Sequence, residues 1–314
     1  MTINIYPEIV HENNLSPDAF GPEIDEYCQE IHDACAGWGA SVPKAIEGLA
    51  KDATTRHKIS LRYKEMFGKD LSEVMKKEFS GDFGVCMKFL ALPADQAEAA
   101  MLRKATSGVG ASVDIIYSIT CGRTNVEMEM LKKAFFSKYT KDLNQIIASE
   151  LRGDNEKLML NALQASEQVY DPLFHTRDKA IEDAEYLYKS GQGKWIGTDE
   201  KSIFKIICSS PPQHLENVNR HYADKYGYTL EKAMEKELGG TAKQGLLFTL
   251  GMKLKPYETI AKLIKTACAG IGTNEMLLAT AIIRYQHIMK DVMTAHIELY
   301  SKVRSIQNYI LAAG

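Results

Sequence analysis

Proline is scarce in these 314 residues, nine in all, and tryptophan occurs only twice. Few prolines leave helices uninterrupted, and plentiful Ala, Leu, Glu and Lys favour them. No run of about 18 apolar residues is present, so no segment reads as a membrane span. The start, Met1 to Pro7, has neither a basic region nor a long apolar run, so no secretory signal is evident. Thr2 in place of glycine excludes N-terminal myristoylation. A dominant charge is missing too. The net charge is −3 and the pI is near 6.3, which gives no reason to expect nucleic acid as a partner. An anionic surface remains possible as a partner if a cation bridges the two. Six cysteines, Cys28, Cys35, Cys86, Cys121, Cys208 and Cys268, form no C-x-x-C pair and read as buried reduced thiols of a cytoplasmic protein. H-E-x-x-H, G-x-S-x-G and the P-loop order of glycines and lysine are all absent, so the chain reads as no enzyme. His214 and His221 lie seven apart, on one helix face, and read as surface or core-edge residues.

What is present is a repeat. Gly37-Trp38-Gly39, Gly108-Val109-Gly110, Gly193 to Gly197 and Gly270-Ile271-Gly272 are four glycine turns with apolar tips. Their final glycines lie 71, 87 and 75 residues apart. Glu78, Glu150 and Glu237 follow the first three turns by 39, 40 and 40 residues. In each of these copies an aromatic residue, Phe67, Tyr139 or Tyr226, stands 11 residues before the glutamate and leads through a Leu and an apolar pair to it, and a glycine follows three residues on. The fourth copy has Tyr300 at the aromatic position but Leu311 where the acid would stand. Such self-similarity is the mark of a repeat architecture, and each unit has room for about five helices. No strand-type alternation of useful length appears. The extra length between the second and third units falls at Glu167 to Thr176 and reads as a linker between two halves. An apolar helix follows the glutamate in the first three units and is missing from the fourth. Ile3, Ile5, Tyr6, Ile9 and Val10 of the N-terminal arm are expected to fill the groove this leaves.

A Gly-x-Gly turn can aim several carbonyls inward. Calcium takes six to eight hard oxygen ligands, including carbonyls and a bidentate carboxylate. Loop carbonyls and one glutamate supply about half of that shell, so water or an external oxygen anion completes it. A lipid phosphate would do so and would neutralise the remaining charge, making calcium and membrane bind cooperatively. The apolar tips, Trp38, Val109, Trp195-Ile196 and Ile271, suit the headgroup boundary, tryptophan above all.

These residues resemble the annexin pattern, a four-fold repeat of about 70 residues with five helices each. Gly197-Thr198-Asp199-Glu200 after Lys194-Trp195, and Gly270 to Glu275, are the most similar loops. The resemblance covers about residues 22–314 and implies an all-α curved disc. Its parts are an arm at 1–21, repeats at 22–92 and 93–166, a linker at 167–176, a repeat at 177–255, and a last repeat at 256–314 lacking its final helix. It implies reversible, calcium-dependent binding to acidic phospholipid on the inner face of membranes, by a protein that is monomeric in solution. Carried over by position, the ligands are the carbonyls of Cys35, Gly37 and Gly39 with Glu78, and of Thr106, Gly108 and Gly110 with Glu150. In the third unit they are Gly197 with Glu237, and Trp195 or Lys194 because that loop is longer. Cys268, Gly270 and Gly272 have no acid, so the fourth site is expected to be weak. Ala40-Ser41 and Ala111-Ser112 depart from the usual Thr-Asp/Glu. The drifted loops and short last repeat are similar to the protist annexins called alpha-giardins, which are associated with flagella and cytoskeletal partners. A calcium-independent helical scaffold for protein partners is the competing reading.

Overall fold

The computed structural model describes residues 2–12, 15–36, 41–108, 110–191, 199–269 and 272–300. Among these residues the chain forms eighteen α-helices and three short 3-10 turns, and no strand. The predicted all-helical class and its five-helix unit both hold. In the first unit the helices are α1 (Pro22–Ala34), α2 (Val42–Leu49), α3 (Ala53–Phe67), α4 (Leu71–Glu78) and α5 (Gly81–Leu90). The second has α6 (Ala94–Ala105), α7 (Val113–Thr120), α8 (Asn125–Tyr139), α9 (Leu143–Glu150) and α10 (Gly153–Leu163). The third has α11 (Arg177–Ser190), α12 (Glu200–Ser209), α13 (Pro212–Tyr226), α14 (Leu230–Glu237) and α15 (Gly240–Leu254). The fourth has α16 (Pro256–Ala267), α17 (Glu275–Arg284) and α18 (Met289–Tyr300). The expected loss of its final helix falls on residues 301–314, outside the described residues.

Local chemistry explains why the units repeat so closely. The third helix of each complete unit ends on a left-handed residue, Gly68, Thr140 or Gly227. That conformation stops a helix by turning the next amide back onto its last carbonyls. An eight-residue helix follows and ends on the glutamate. Gly81, Gly153 and Gly240 then open the fifth helix with φ of +64°, +64° and +60°. A side chain would be strained at these positions.

The chain folds into two compact units that do not follow its order. One contains residues 1–4 and 102–262, the other 5–101 and 263–314. The segment 167–176, read as a linker between the second and third repeats, lies inside the first of these units. Polar contacts hold it there. Glu167 accepts from Lys253 Nζ at 2.9 Å and from the Thr2 hydroxyl at 2.8 Å. Its backbone N–H and C=O both pair with the Asn125 amide. The Gln168 N–H donates to Ser209 O. His175 Nδ1 accepts from the Asp171 N–H at 3.0 Å, so its Nε2 carries the proton donated to Gln168 Oε1.

In the other unit Ile24, Cys28, Ile31, Leu49, Ile59, Tyr63, Leu71 and Met75 make one core from α1 to α4. From Ile5 on, the N-terminal arm packs into this unit, while residues 2–4 belong to the other. Ile5, Tyr6, Ile9 and Val10 are buried, and Ile3 is half-buried. The Tyr6 hydroxyl donates to Glu98 Oε2 at 2.6 Å, and Arg284 Nε pairs with Glu98 Oε1 at 2.6 Å. Ile5, Tyr6 and Pro7 line a cleft with residues of α3 and α6 as well as Ile283 and Arg284 of α17. The arm thus reaches the fourth repeat as expected, but lies as much against the first.

Candidate functional site

Each unit's first two helices are joined by a glycine turn whose ends are pinned by one hydrogen bond. Ser41, Ser112, Asp199 and Asn274 donate their N–H to the carbonyl of the last residue of the preceding helix, Ala34, Ala105, Ser190 and Ala267. All four bonds are 2.8–2.9 Å. The pinned residues are seven apart in three loops and nine apart in the third. The third loop is therefore two residues longer than the others. Asp199 and Asn274 also cap the next helix through their side chains, accepting from Ser202 N and Leu277 N, whereas Ser41 and Ser112 do not.

Two kinds of helix end surround these turns. The first helix of each unit delivers its C-terminus into the loop, and a helix C-terminus carries partial negative charge. The fourth helix of each complete unit ends on Glu78, Glu150 or Glu237. A carboxylate there opposes its own helix dipole and is disfavoured by about 0.3–1 kcal/mol. The same unfavourable placement recurs in three helices. Hard oxygens and negative dipole ends are the groups a divalent cation accepts as partners.

The structure places two of the three glutamates near the end of the preceding first helix, one beside the predicted Cys35 and one beside Gly191, which was not predicted. In the first unit Cys35 follows α1, and burial with the negative charge of Glu78 raises its thiol to about 11. Glu78 is half-buried. In the third unit Gly191 follows α11, and a Cβ built there would lie 3.0 Å from Glu237 Cγ and 3.6 Å from Oε2. The bare backbone is what admits the carboxylate. In the second unit Glu150 is exposed, and no described hydrogen bond or charge interaction joins it to Thr106, Gly108 or Gly110. Thr106 is buried and its hydroxyl donates to Leu102 O at 2.8 Å. Gly108, Gly110 and Gly272 have φ of +115°, +87° and +97°, with no atom within 4 Å of a built Cβ. Gly37, Trp38, Gly39, Val109, Lys194, Trp195, Ile196, Gly197, Gly270 and Ile271 lie outside the described residues.

Sequence reasoning missed the four pinning bonds and the role of Gly191. The signal for the first was an N-cap residue, Ser, Ser, Asp or Asn, two positions after each closing glycine. His214 was placed at a surface or core edge, and it is instead buried, pairing with Asp183 Oδ2 at 2.8 Å. No cluster of three or more His, Cys, Asp or Glu able to hold a metal occurs among the described residues. No described helix is long and apolar enough to cross a membrane.

Comparison with known proteins places the fold. The annexin family model matches residues 26–90, 97–162 and 182–248. Annexin A7 of Dictyostelium discoideum is 31% identical over 274 residues, which is 86% of this chain but 58% of that protein's length. The solved structure of annexin III superposes with a TM-score of 0.83 at 25% identity, covering 96% of this chain and 91% of that one. The calcium-bound structure of alpha-14 giardin superposes with a TM-score of 0.75 at 14% identity, covering 93% and 95%, a likeness of fold alone. The chain belongs to the annexin family.

Proposed function

We propose that this protein binds acidic phospholipid surfaces in a calcium-dependent, reversible way through its glycine turns. The observation that carries this reading is the glutamate that closes α4, α9 and α14, facing the first loop at Cys35 and the third at Gly191. Calcium would be held by the carbonyls of Cys35, Gly37 and Gly39 with Glu78, and of Thr106, Gly108 and Gly110 with Glu150. In the third unit Trp195 and Gly197 would act with Glu237. Gly270 and Gly272 would hold it more weakly, since no acid is assigned to that unit. The ion supplies positive charge that a lipid phosphate can share. Trp38, Val109, Trp195, Ile196 and Ile271 are the residues proposed to rest at the headgroup level. A peripheral location on the inner face of membranes follows, with a link to cytoskeletal proteins as the finer expectation, and neither catalysis nor nucleic acid is invoked.

Sedimentation with phosphatidylserine vesicles tests this. The protein should pellet with calcium and return to the supernatant on chelation. Equal pelleting with and without calcium, or none, would overturn the reading and favour a helical scaffold for protein partners.

A further inference from the structure

The three glutamate-bearing helix ends differ in one respect that their shared fold does not require, namely where the nearest basic side chain rests. In the first unit Lys77 precedes Glu78, and its Nζ stands 3.8 Å from Glu78 Oε1. In the third unit Lys236 precedes Glu237 in the same register. It is not paired with that carboxylate but lies over the Tyr228 ring, 4.3 Å from its centroid. In the second unit the preceding residue is Ser149, and the basic residue is Arg152, two positions after Glu150. Its Nη1 donates to the carbonyls of Ala148, Ser149 and Leu151 at 2.9, 3.0 and 2.7 Å. The matching positions in the other units hold Ser80 and Gly239.

We propose that these resident cations rank the three calcium sites: Lys77 on Glu78 and Arg152 on the α9 carbonyls compete with calcium, whereas Tyr228 draws Lys236 off Glu237 and leaves the third site strongest. This rests on the calcium reading above. A guanidinium seated on a helix C-terminus satisfies the dipole that would otherwise favour a metal ion. A lysine beside a carboxylate lowers the negative potential a divalent ion experiences, and a ring face offers the ammonium another partner. The charges are close but solvated, so each should alter affinity by about threefold to tenfold, less at high salt.

Calorimetric titration with calcium chloride alone tests the ranking. In a Glu78→Gln, Glu237→Gln background the second site dominates, and adding Arg152→Gly should tighten it about threefold to tenfold. The same change should lower the melting temperature in chelator, because it removes the Arg152 hydrogens shared among the Ala148 and Ser149 carbonyls of α9 and the Leu151 carbonyl just after it. These opposite signs separate a competing cation from a merely structural one, since loss of structure would weaken calcium binding as well. In a Glu78→Gln, Glu150→Gln background, Tyr228→Leu should weaken the third site and Tyr228→Phe, which keeps the ring, should not. If the parent protein binds calcium but Arg152→Gly leaves the second site unchanged or weaker, or Tyr228→Leu and Tyr228→Phe behave alike, the ranking is overturned and the calcium reading stands. If the parent binds no calcium, both fall.

Discussion

A glutamate as the last residue of a helix is a small, local sacrifice, and three of them define what to test first. Replacing Glu237 with glutamine removes a charge that its helix dipole opposes, so the melting temperature in chelator should not fall. Calcium-dependent vesicle binding should fall more than for Glu78→Gln or Glu150→Gln, and sedimentation of the three variants side by side checks the order. Cys35 offers a second readout on single residues. Its thiol is raised to about 11 by burial first and by Glu78 second. A cation on Glu78 should offset the second cause and lower the thiol's pKa. Alkylation at Cys35, followed by mass spectrometry, should therefore be faster with calcium than with chelator. Cys28, fully buried and raised to about 12, serves as the unreactive reference. At this scale the sequence was most informative about chemistry. Interval and residue type singled out the three acids, because the kind of side chain is a property of one position. The basic side chains around them were not legible, since a lysine that pairs with a carboxylate and one that lies over a ring read alike in one dimension.

Among the elements, α3 carries a test of pH. His57 is buried, and burial depresses its pKa to about 4 from an ordinary value of 6.5. As pH falls, the unfolded chain takes up this proton first, so unfolding binds a proton between about pH 6.5 and 4. Stability is full above that window and declines through it, by up to about 3 kcal/mol. His175 and His296 are shifted downward for the same reason, burial. His57→Leu should thus flatten part of the acid-side loss in a series of thermal melts at pH 7, 6, 5 and 4, and an unchanged slope would refute it. The helices themselves were readable from apolar steps of three and four, and their ends from glycines. Thr140 shows why some boundaries were not. It adopts the left-handed conformation, φ +52°, at a position where the other units have glycine. A β-branched residue there is justified only by the surroundings that hold it.

At the scale of the whole molecule, four repeats in sequence became two compact units that each join distant stretches of chain. Tyr6, Glu98 and Arg284 show how far apart the partners lie, with the ion pair spanning 186 positions. No local pattern encodes such a pairing, because an acid in α6 and a base in α17 each look ordinary where they stand. Removing the Tyr6 hydroxyl should cost about 1–3 kcal/mol, since Glu98 Oε2 would lose a buried donor. Deleting residues 2–12 should cost more, because four apolar or aromatic side chains lose their burial. Denaturant unfolding of both variants checks the order, and an unaffected deletion would mean that the arm contributes nothing to the fold.

The bond that pins each glycine turn has a further consequence for how such a chain can change over generations. Because Ala34 to Ser41, Ala105 to Ser112, Ser190 to Asp199 and Ala267 to Asn274 close in the same way, the frame is indifferent to what the enclosed residues are, and even to their number. The third turn has already accepted two more without altering its closure. Each turn is then an exchangeable cassette. It can drift, lengthen or lose its ligand while the helices keep their positions, and one lineage can carry ancestral and discarded binding loops side by side in a single molecule.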